Sequence, residues 1–255
     1  MTVNRSQNKI KVRKNIFEMG CYNPPLEDRN PEDYILMDFN EPPLPPPDEI
    51  IEKITFFLKN QINTYPRYSD FLKDLGKYVG VDSENLLLTN GSDQAVDIIF
   101  RCLLEEGDEV KMVQPGFTMF NQVAKTLGCS LEGPQFKPDF IFPHDDLKSS
   151  IDKNTSLIVI INPNNPTGTS VSQYQIEDLL LSFPNIPILV DEAYYEFTGN
   201  TSVPLLKKYS NLIVIRTFSK ALGIPGLRLG YVVARKDFVL EIKKIRGPYD
   251  VNAVA

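Results

Sequence analysis

Lys220 stands in Thr217-Phe218-Ser219-Lys220, directly after the apolar run Ile213-Val214-Ile215. A lysine just beyond a buried strand is partly desolvated, which disfavours the ammonium, lowers its pKa and frees the amine for Schiff-base chemistry. A solvated surface lysine is the plainer reading of the same residue. Arg228 follows eight residues later, inside Gly223-Ile224-Pro225-Gly226-Leu227-Arg228-Leu229-Gly230. Its planar, permanently charged fork suits a phosphate or a carboxylate. The glycine spacing is not G-x-G-x-x-G, so a nicotinamide-binding Rossmann reading is poor. Asp191 closes Ile188-Leu189-Val190, and a carboxylate at the edge of a core needs a cation or a helix start to face. Tyr194 lies three residues on.

Two further clusters carry polar groups. Gly91-Ser92-Asp93-Gln94 combines a turn glycine with good helix N-caps for a helix over 93–105. A helix start offers free N–H groups and a positive dipole end to an anion, although the same residues also suit an ordinary cap. Asn162–Gly168 reads NPNNPTG, a rigid loop that can present a side-chain amide accurately.

Elements must hold these clusters. The apolar runs Leu86–Thr89, Val110–Val113, Leu157–Ile161, Ile188–Val190, Leu212–Ile215 and Leu229–Val233 read as buried strands, with Ser130–Phe136 a weaker seventh. Helical patterns near 67–79, 93–105, 117–127, 172–182 and 236–246 separate them. Continuous apolar runs alternating with helices imply an α/β domain with a mostly parallel seven-stranded sheet flanked by helices. In such sheets ligands sit outside the carboxyl ends of strands, where four of the polar clusters fall. Strand order is not readable, so their convergence is an expectation. Residues 1–40 read as an N-terminal arm lying on a partner or on its own domain, and 41–255 as the large domain. Between them, five prolines in the six positions 42–47 form a stiff connector. Asp48 is then expected to cap a helix with Ile50, Ile51, Ile54, Phe57 and Leu58 on one face.

Composition narrows the classes. The 255 residues are 42% apolar, enough for a sizeable core. A net charge of -6 disfavours nucleic-acid or anionic-membrane partners. Cys21, Cys102 and Cys129 are few and scattered, a reduced, cytosolic pattern rather than a disulfide frame or zinc site. The single histidine, His144, excludes a multi-histidine metal site and reads as a loop or helix-start residue. No apolar run approaches the ~20 residues of a membrane span. The basic start MTVNRSQNKIKVRKNIF lacks the apolar stretch of a secretory signal.

Each cluster alone is generic; their order is not. NPNNPTG, then VDEAYYEF, then RTFSKALGIPGLRLG resembles the aspartate-aminotransferase fold family of pyridoxal-phosphate enzymes. The narrower resemblance is to histidinol-phosphate aminotransferases. It is supported by Asn40-Glu41-Pro42, Asn63-Thr64-Tyr65-Pro66, Gly91–Gln94, Pro115-Gly116-Phe117 and Gly247-Pro248-Tyr249-Asp250-Val251-Asn252. The resemblance covers roughly residues 38–255.

It implies a role for each matching position. Lys220 matches the Schiff-base lysine, which also shuttles the substrate proton. Asp191 matches the carboxylate facing the pyridine nitrogen. Asn165 and Tyr194 match the donors to the cofactor's phenolic oxygen, and Phe117 the aromatic stacked on its ring, where many relatives have tyrosine. Ser92 and Asp93 match the helix start that holds the phosphate, with Thr217, Ser219 and Arg228 its side-chain ligands. Tyr65 matches a tyrosine that reaches the phosphate from the neighbouring subunit, which implies a homodimer. Relatives continue for roughly another hundred residues into a small domain that supplies a carboxylate-clamping arginine. The resemblance implies amino transfer from histidinol phosphate or a similar donor to a 2-oxo acid such as 2-oxoglutarate. The same motifs also suit an aromatic-amino-acid aminotransferase, a decarboxylase of a phosphorylated amino acid, or a cofactor-binding remnant without turnover.

Overall fold

A computed structural model describes residues 10–27 and 29–255. Part of the N-terminal arm, residues 1–9 and 28, therefore lies outside the described residues.

Seven strands form one sheet in the order β1-β7-β6-β5-β4-β2-β3. They are β1 (Leu86–Asn90), β2 (Glu109–Met112), β3 (Ser130–Glu132), β4 (Thr155–Ile161), β5 (Ile188–Asp191), β6 (Leu212–Thr217) and β7 (Leu229–Ala234). Strands β3, β2, β4, β5 and β6 run parallel; β7 runs antiparallel to both β6 and β1. The central strands are buried along their whole length except at Ser156 of β4, because helices cover both faces, which explains the unbroken apolar runs.

Nine helices accompany the sheet among the described residues: α1 (Lys14–Glu18), α2 (Asp48–Asn60), α3 (Ser69–Val79), α4 (Gly91–Leu103), α5 (Thr118–Leu127), α6 (His144–Ser150), α7 (Gln173–Ser182), α8 (Tyr195–Thr198) and α9 (Lys236–Lys243). Alternation along each strand divides the core. Leu87, Ile213 and Ile215 point to one face, against Ile99 of α4, Phe120 of α5 and Val239 of α9. Leu86, Leu88, Leu212 and Val214 point to the other, against Leu75 of α3, Leu147 of α6 and Leu179 of α7. Local chemistry fixes the helix ends. Ser172 and Gln175 close a reciprocal capping box on α7, and α5 stops at Gly128 in the left-handed conformation, φ 80.

Two local expectations need correction. Asp48 is the first residue of α2 rather than its cap; Pro47 is the cap and offers no side-chain bond. Helix α4 likewise starts at Gly91, after Asn90, so neither Ser92 nor Asp93 caps it. The Asp93 carboxylate instead takes Arg228. The apolar face expected for α2 forms: among the described residues Ile54 and Phe57 are half-buried, while Ile50, Ile51 and Leu58 stay exposed. Helix α1 sits against α5, where Asn15 donates to the carbonyls of Lys125 and Thr126.

Candidate active site

Four strand ends meet in one cleft lined by Ser92, Asp93, Phe117, Asn165, Asp191 and Tyr194, with Ala193, Thr217, Ser219, Lys220 and Arg228 completing the wall. The parallel order places the ends of β4, β5 and β6 side by side. Antiparallel β7 instead contributes its beginning, so Arg228, just before it, arrives at the same edge.

One end of the cleft is built for an anion. The first turn of α4 leaves backbone N–H groups without partners inside the helix. Arg228 lies against that turn: a Cβ at Gly91 would meet its Nη2 at 2.6 Å. Gly91 also has φ 74, so two independent constraints require glycine there. Arg228 itself adopts φ 52, a costly conformation for a residue with a Cβ. Its Nη2 donates to Asp93 Oδ2 at 3.0 Å, which offsets part of that cost. Thr217 and Ser219 add hydroxyls, linked to each other at 3.0 Å. The last sequence motif braces this end. Gln94 donates to Asp250 Oδ2 at 2.7 Å, and Asn252 donates to the Leu227 carbonyl at 2.8 Å.

Asp191 occupies the floor, 5% exposed, and accepts from the Ala193 amide at 3.0 Å. Burial pushes its carboxyl up to about 7, the nearby charges of Asp93 and Glu192 push the same way, and the Ala193 bond and the Lys220 charge oppose the shift. A carboxylate held this way favours a partner bearing a proton on nitrogen. The Lys220 amine is shifted down, chiefly by burial and also by Arg228, while Glu41, Asp93 and Asp191 oppose the shift. Its Nζ donates to the Phe39 carbonyl at 2.5 Å.

The NPNNPTG loop divides its labour. Asn162 is fully buried and exchanges two bonds with the Val171 backbone, at 3.0 and 2.9 Å. Asn164 donates to the Pro115 carbonyl at 3.1 Å, tying this loop to the one that carries Phe117. Those two asparagines are bolts. Asn165 is left facing the cleft, where its amide reaches the Tyr194 hydroxyl at 3.4 Å. Phe117 presents its ring to the cleft and packs edge-on against Phe120, with centroids 6.4 Å apart.

A sequence profile of the aminotransferase class I and II family matches residues 32–255. The chain belongs to this family. Among relatives, it is 38% identical over 252 residues to histidinol-phosphate aminotransferase 1 of Carboxydothermus hydrogenoformans, covering 96% of this chain and 70% of that one. It is 34% identical over 223 residues to the histidinol-phosphate aminotransferase of Thermoanaerobacter pseudethanolicus, covering 86% of this chain and 63% of that protein. The chain thus spans less than two thirds of the latter's length. The crystal structure of histidinol-phosphate aminotransferase from Sinorhizobium meliloti in complex with pyridoxal-5'-phosphate superposes with a TM-score of 0.79. At 23% identity, over 85% of this chain and 60% of that one, this likeness speaks for the fold alone.

Two features of this aminotransferase-family site escape sequence reading. Behind the cleft, Arg216 donates through Nε and Nη2 to Glu192 Oε2 at 3.0 and 2.9 Å. Both side chains are almost fully buried, and the guanidinium lies 3.6 Å from the centre of the Tyr195 ring. Thr201 and the Ser202 amide complete the carboxylate's shell. Glu192 follows Asp191 and Arg216 precedes Thr217, so the pair bolts together the two strand ends that carry the cleft. An arginine inside an otherwise apolar strand was the available signal. Arg216→Met leaves Glu192 buried and unpaired, and should cost about 3–5 kcal/mol of stability in a denaturant titration. The second feature is Asn40, which donates to the Tyr194 hydroxyl at 2.9 Å.

Tyr65 stands apart from the cleft. It is 75% exposed and stacks on Tyr249 with ring centroids 4.3 Å apart. His144 sits at the start of α6 beside Asp145 and Asp178, away from the site. Among the described residues no group of His, Cys, Asp or Glu is arranged to hold a metal ion.

Proposed function

We propose that this cleft holds pyridoxal 5'-phosphate and serves an aminotransferase of the histidinol-phosphate type. The observation that carries the proposal is the pairing of Asp191 with Lys220 across a cleft whose far end is the Arg228 cradle. The residues present fit the group. A buried carboxylate with a raised pKa matches a protonated ring nitrogen. The close approach of Arg228 to Gly91, and the contact that a Cβ at Gly230 would make with Ser92 N at 2.7 Å, leave the anion cradle open only because both are glycines.

Pyridoxal phosphate, when bound, supplies a ring that accepts the electron pair left on a substrate carbon after its proton departs. Lys220 would hold the group through its amine and would move the proton at the substrate carbon. A lowered pKa suits an amine that must act as both base and acid near neutral pH. Asp191 would hold the proton at the ring nitrogen. Asn165 and Tyr194 would donate to the phenolic oxygen, and Phe117 would pack on the ring. The Ser92 and Asp93 amides, the hydroxyls of Thr217 and Ser219, and Arg228 would bind the phosphate.

The names of the relatives favour histidinol phosphate as amino donor and a 2-oxo acid such as 2-oxoglutarate as acceptor. We also propose a homodimer with shared sites. Exposed Tyr65 and the exposed Ile50, Ile51 and Leu58 of α2 support it. A cytoplasmic setting fits three free cysteines. Among the described residues no helix is long and apolar enough to cross a membrane. Tyr65→Phe should loosen cofactor retention by about ten-fold while changing kcat little, as expected for a donor to a charged phosphate. Equilibrium dialysis beside steady-state kinetics reads both quantities.

The function is tested by adding pyridoxal phosphate and scanning amino donors. A Lys220-dependent absorbance band that converts with histidinol phosphate supports the proposal. A band unresponsive to every donor contradicts turnover.

A further inference from the structure

We propose that Asn40 is a positioning residue: its side-chain amide sets the direction in which the Tyr194 hydroxyl donates. The inference deepens the function proposed above and rests on it.

The geometry is specific. Asn40 Nδ2 donates to the Tyr194 oxygen at 2.9 Å, and Asn165 Nδ2 approaches the same oxygen at 3.4 Å. A phenolic oxygen has two acceptor positions and one hydrogen. With amide donors on both acceptor positions, the hydrogen is turned away from them, toward an acceptor in the cleft. In the proposed complex that acceptor is the phenolic oxygen of the cofactor. A hydroxyl that accepts is also a stronger donor, because bonds in a chain polarise one another.

The segment carrying Asn40 is held in place. Asn40 adopts φ 53, a conformation that asparagine tolerates better than most residues. On either side, Arg29 forks onto Asp38 at 2.8 and 2.7 Å and onto Glu41 at 2.6 Å. The same guanidinium lies 4.2 Å from the centre of the Phe39 ring. A Cβ at Gly223 would meet Pro42 at 3.8 Å, so the segment also packs beside the loop after Lys220. The Phe39 carbonyl takes the Lys220 amine. The segment Phe39-Asn40 thus touches both Lys220 and Tyr194 from a distant part of the chain.

Burial raises the Tyr194 pKa, the Asn40 bond lowers it, and Asp191 is the charge that acts on it. Around Lys220 the charges are Glu41, Asp93, Asp191 and Arg228. Asn40→Gly removes the amide without straining a positive-φ position. In the cofactor-free chain, the Tyr194 phenolate should then appear at higher pH. The difference absorbance against Tyr194→Phe isolates that one tyrosine. With pyridoxal phosphate added, a donor to the cofactor oxygen favours the deprotonated lysine–cofactor linkage. Its band should therefore titrate about half a pH unit higher in Asn40→Gly. The same substitution in a Tyr194→Phe background should leave the midpoint unmoved.

An unchanged phenolate midpoint overturns the inference, whatever the cofactor does. So does a band that shifts equally in both backgrounds, since the effect would not pass through Tyr194. A parent chain with no Lys220-dependent band fails differently: it overturns the cofactor reading itself, and Asn40's role with it.

Discussion

Lys220→Ala is expected to lose the lysine-dependent absorbance band with pyridoxal phosphate and to lose turnover with every amino donor. Two functions leave with one amine. The covalent hold on the cofactor disappears, and so does the group that moves the proton at the substrate carbon. Positioned acid–base groups contribute about 10²–10⁴-fold, so the rate loss should reach at least that range. The fold should tolerate the change. Lys220 lines the cleft, and among the described residues the one hydrogen bond of its side chain, to the Phe39 carbonyl, is to a segment outside the sheet. Circular dichroism of the variant should match the parent. Added methylamine offers a sharper check, since a small amine can return part of the proton transfer. A variant that keeps the band would place the covalent bond on another lysine.

Asp191→Asn is the second large effect, and it separates binding from chemistry. The lysine linkage should still form, because Lys220 and the Arg228 cradle are untouched. Turnover should fall by about 10²–10³-fold or more, since in the proposed complex the carboxylate would be a pre-organised charge facing the ring nitrogen. The same substitution has a signature in the cofactor-free chain. Burial raises the Asp191 pKa to about 7, above the ordinary carboxylate value of about 3.9. The neutral acid is thus the form the folded chain prefers. Its contribution to stability is fully present below the unfolded-state pKa and fades as pH rises through about 7. Asp191→Asn should flatten that decline between pH 4 and 7 in thermal melts. An unchanged slope would mean that Asp191 stays ionised in the fold.

The sheet was legible because its strands are buried on both faces and read as unbroken apolar runs. The carboxyl-end rule then placed Asn165, Asp191 and Lys220 together without any strand order. The reversal of β7 was harder to see, although a cue existed. Only residues 218–228 separate β6 from β7, with a single short 3-10 turn and no α-helix to carry a parallel crossover. Arg228 could therefore have been placed at the same edge as Lys220 by connection length alone.

Other parts had no local signal. Asn40 meets Tyr194 across 154 residues, and nothing in its proline-rich surroundings announces that contact. Glu192 and Arg216 each stand beside a residue with an expected role, but their pairing depends on the β5–β6 register, in which Asp191 faces Ile215. Helix α2 shows the opposite limit. Its periodicity correctly foretold an apolar face, while periodicity says nothing about which surface covers that face. The capping residues failed for a related reason: Asp93 is a good cap in isolation, yet its carboxylate faces Arg228 instead.

The central claim is that Lys220 carries the cofactor. Incubation with pyridoxal phosphate, borohydride reduction and peptide mapping tests it directly. The account predicts one stoichiometric pyridoxyl group on the peptide containing Thr217-Phe218-Ser219-Lys220. Label spread over surface lysines such as Lys73, Lys77 and Lys208, with none on Lys220, would contradict it.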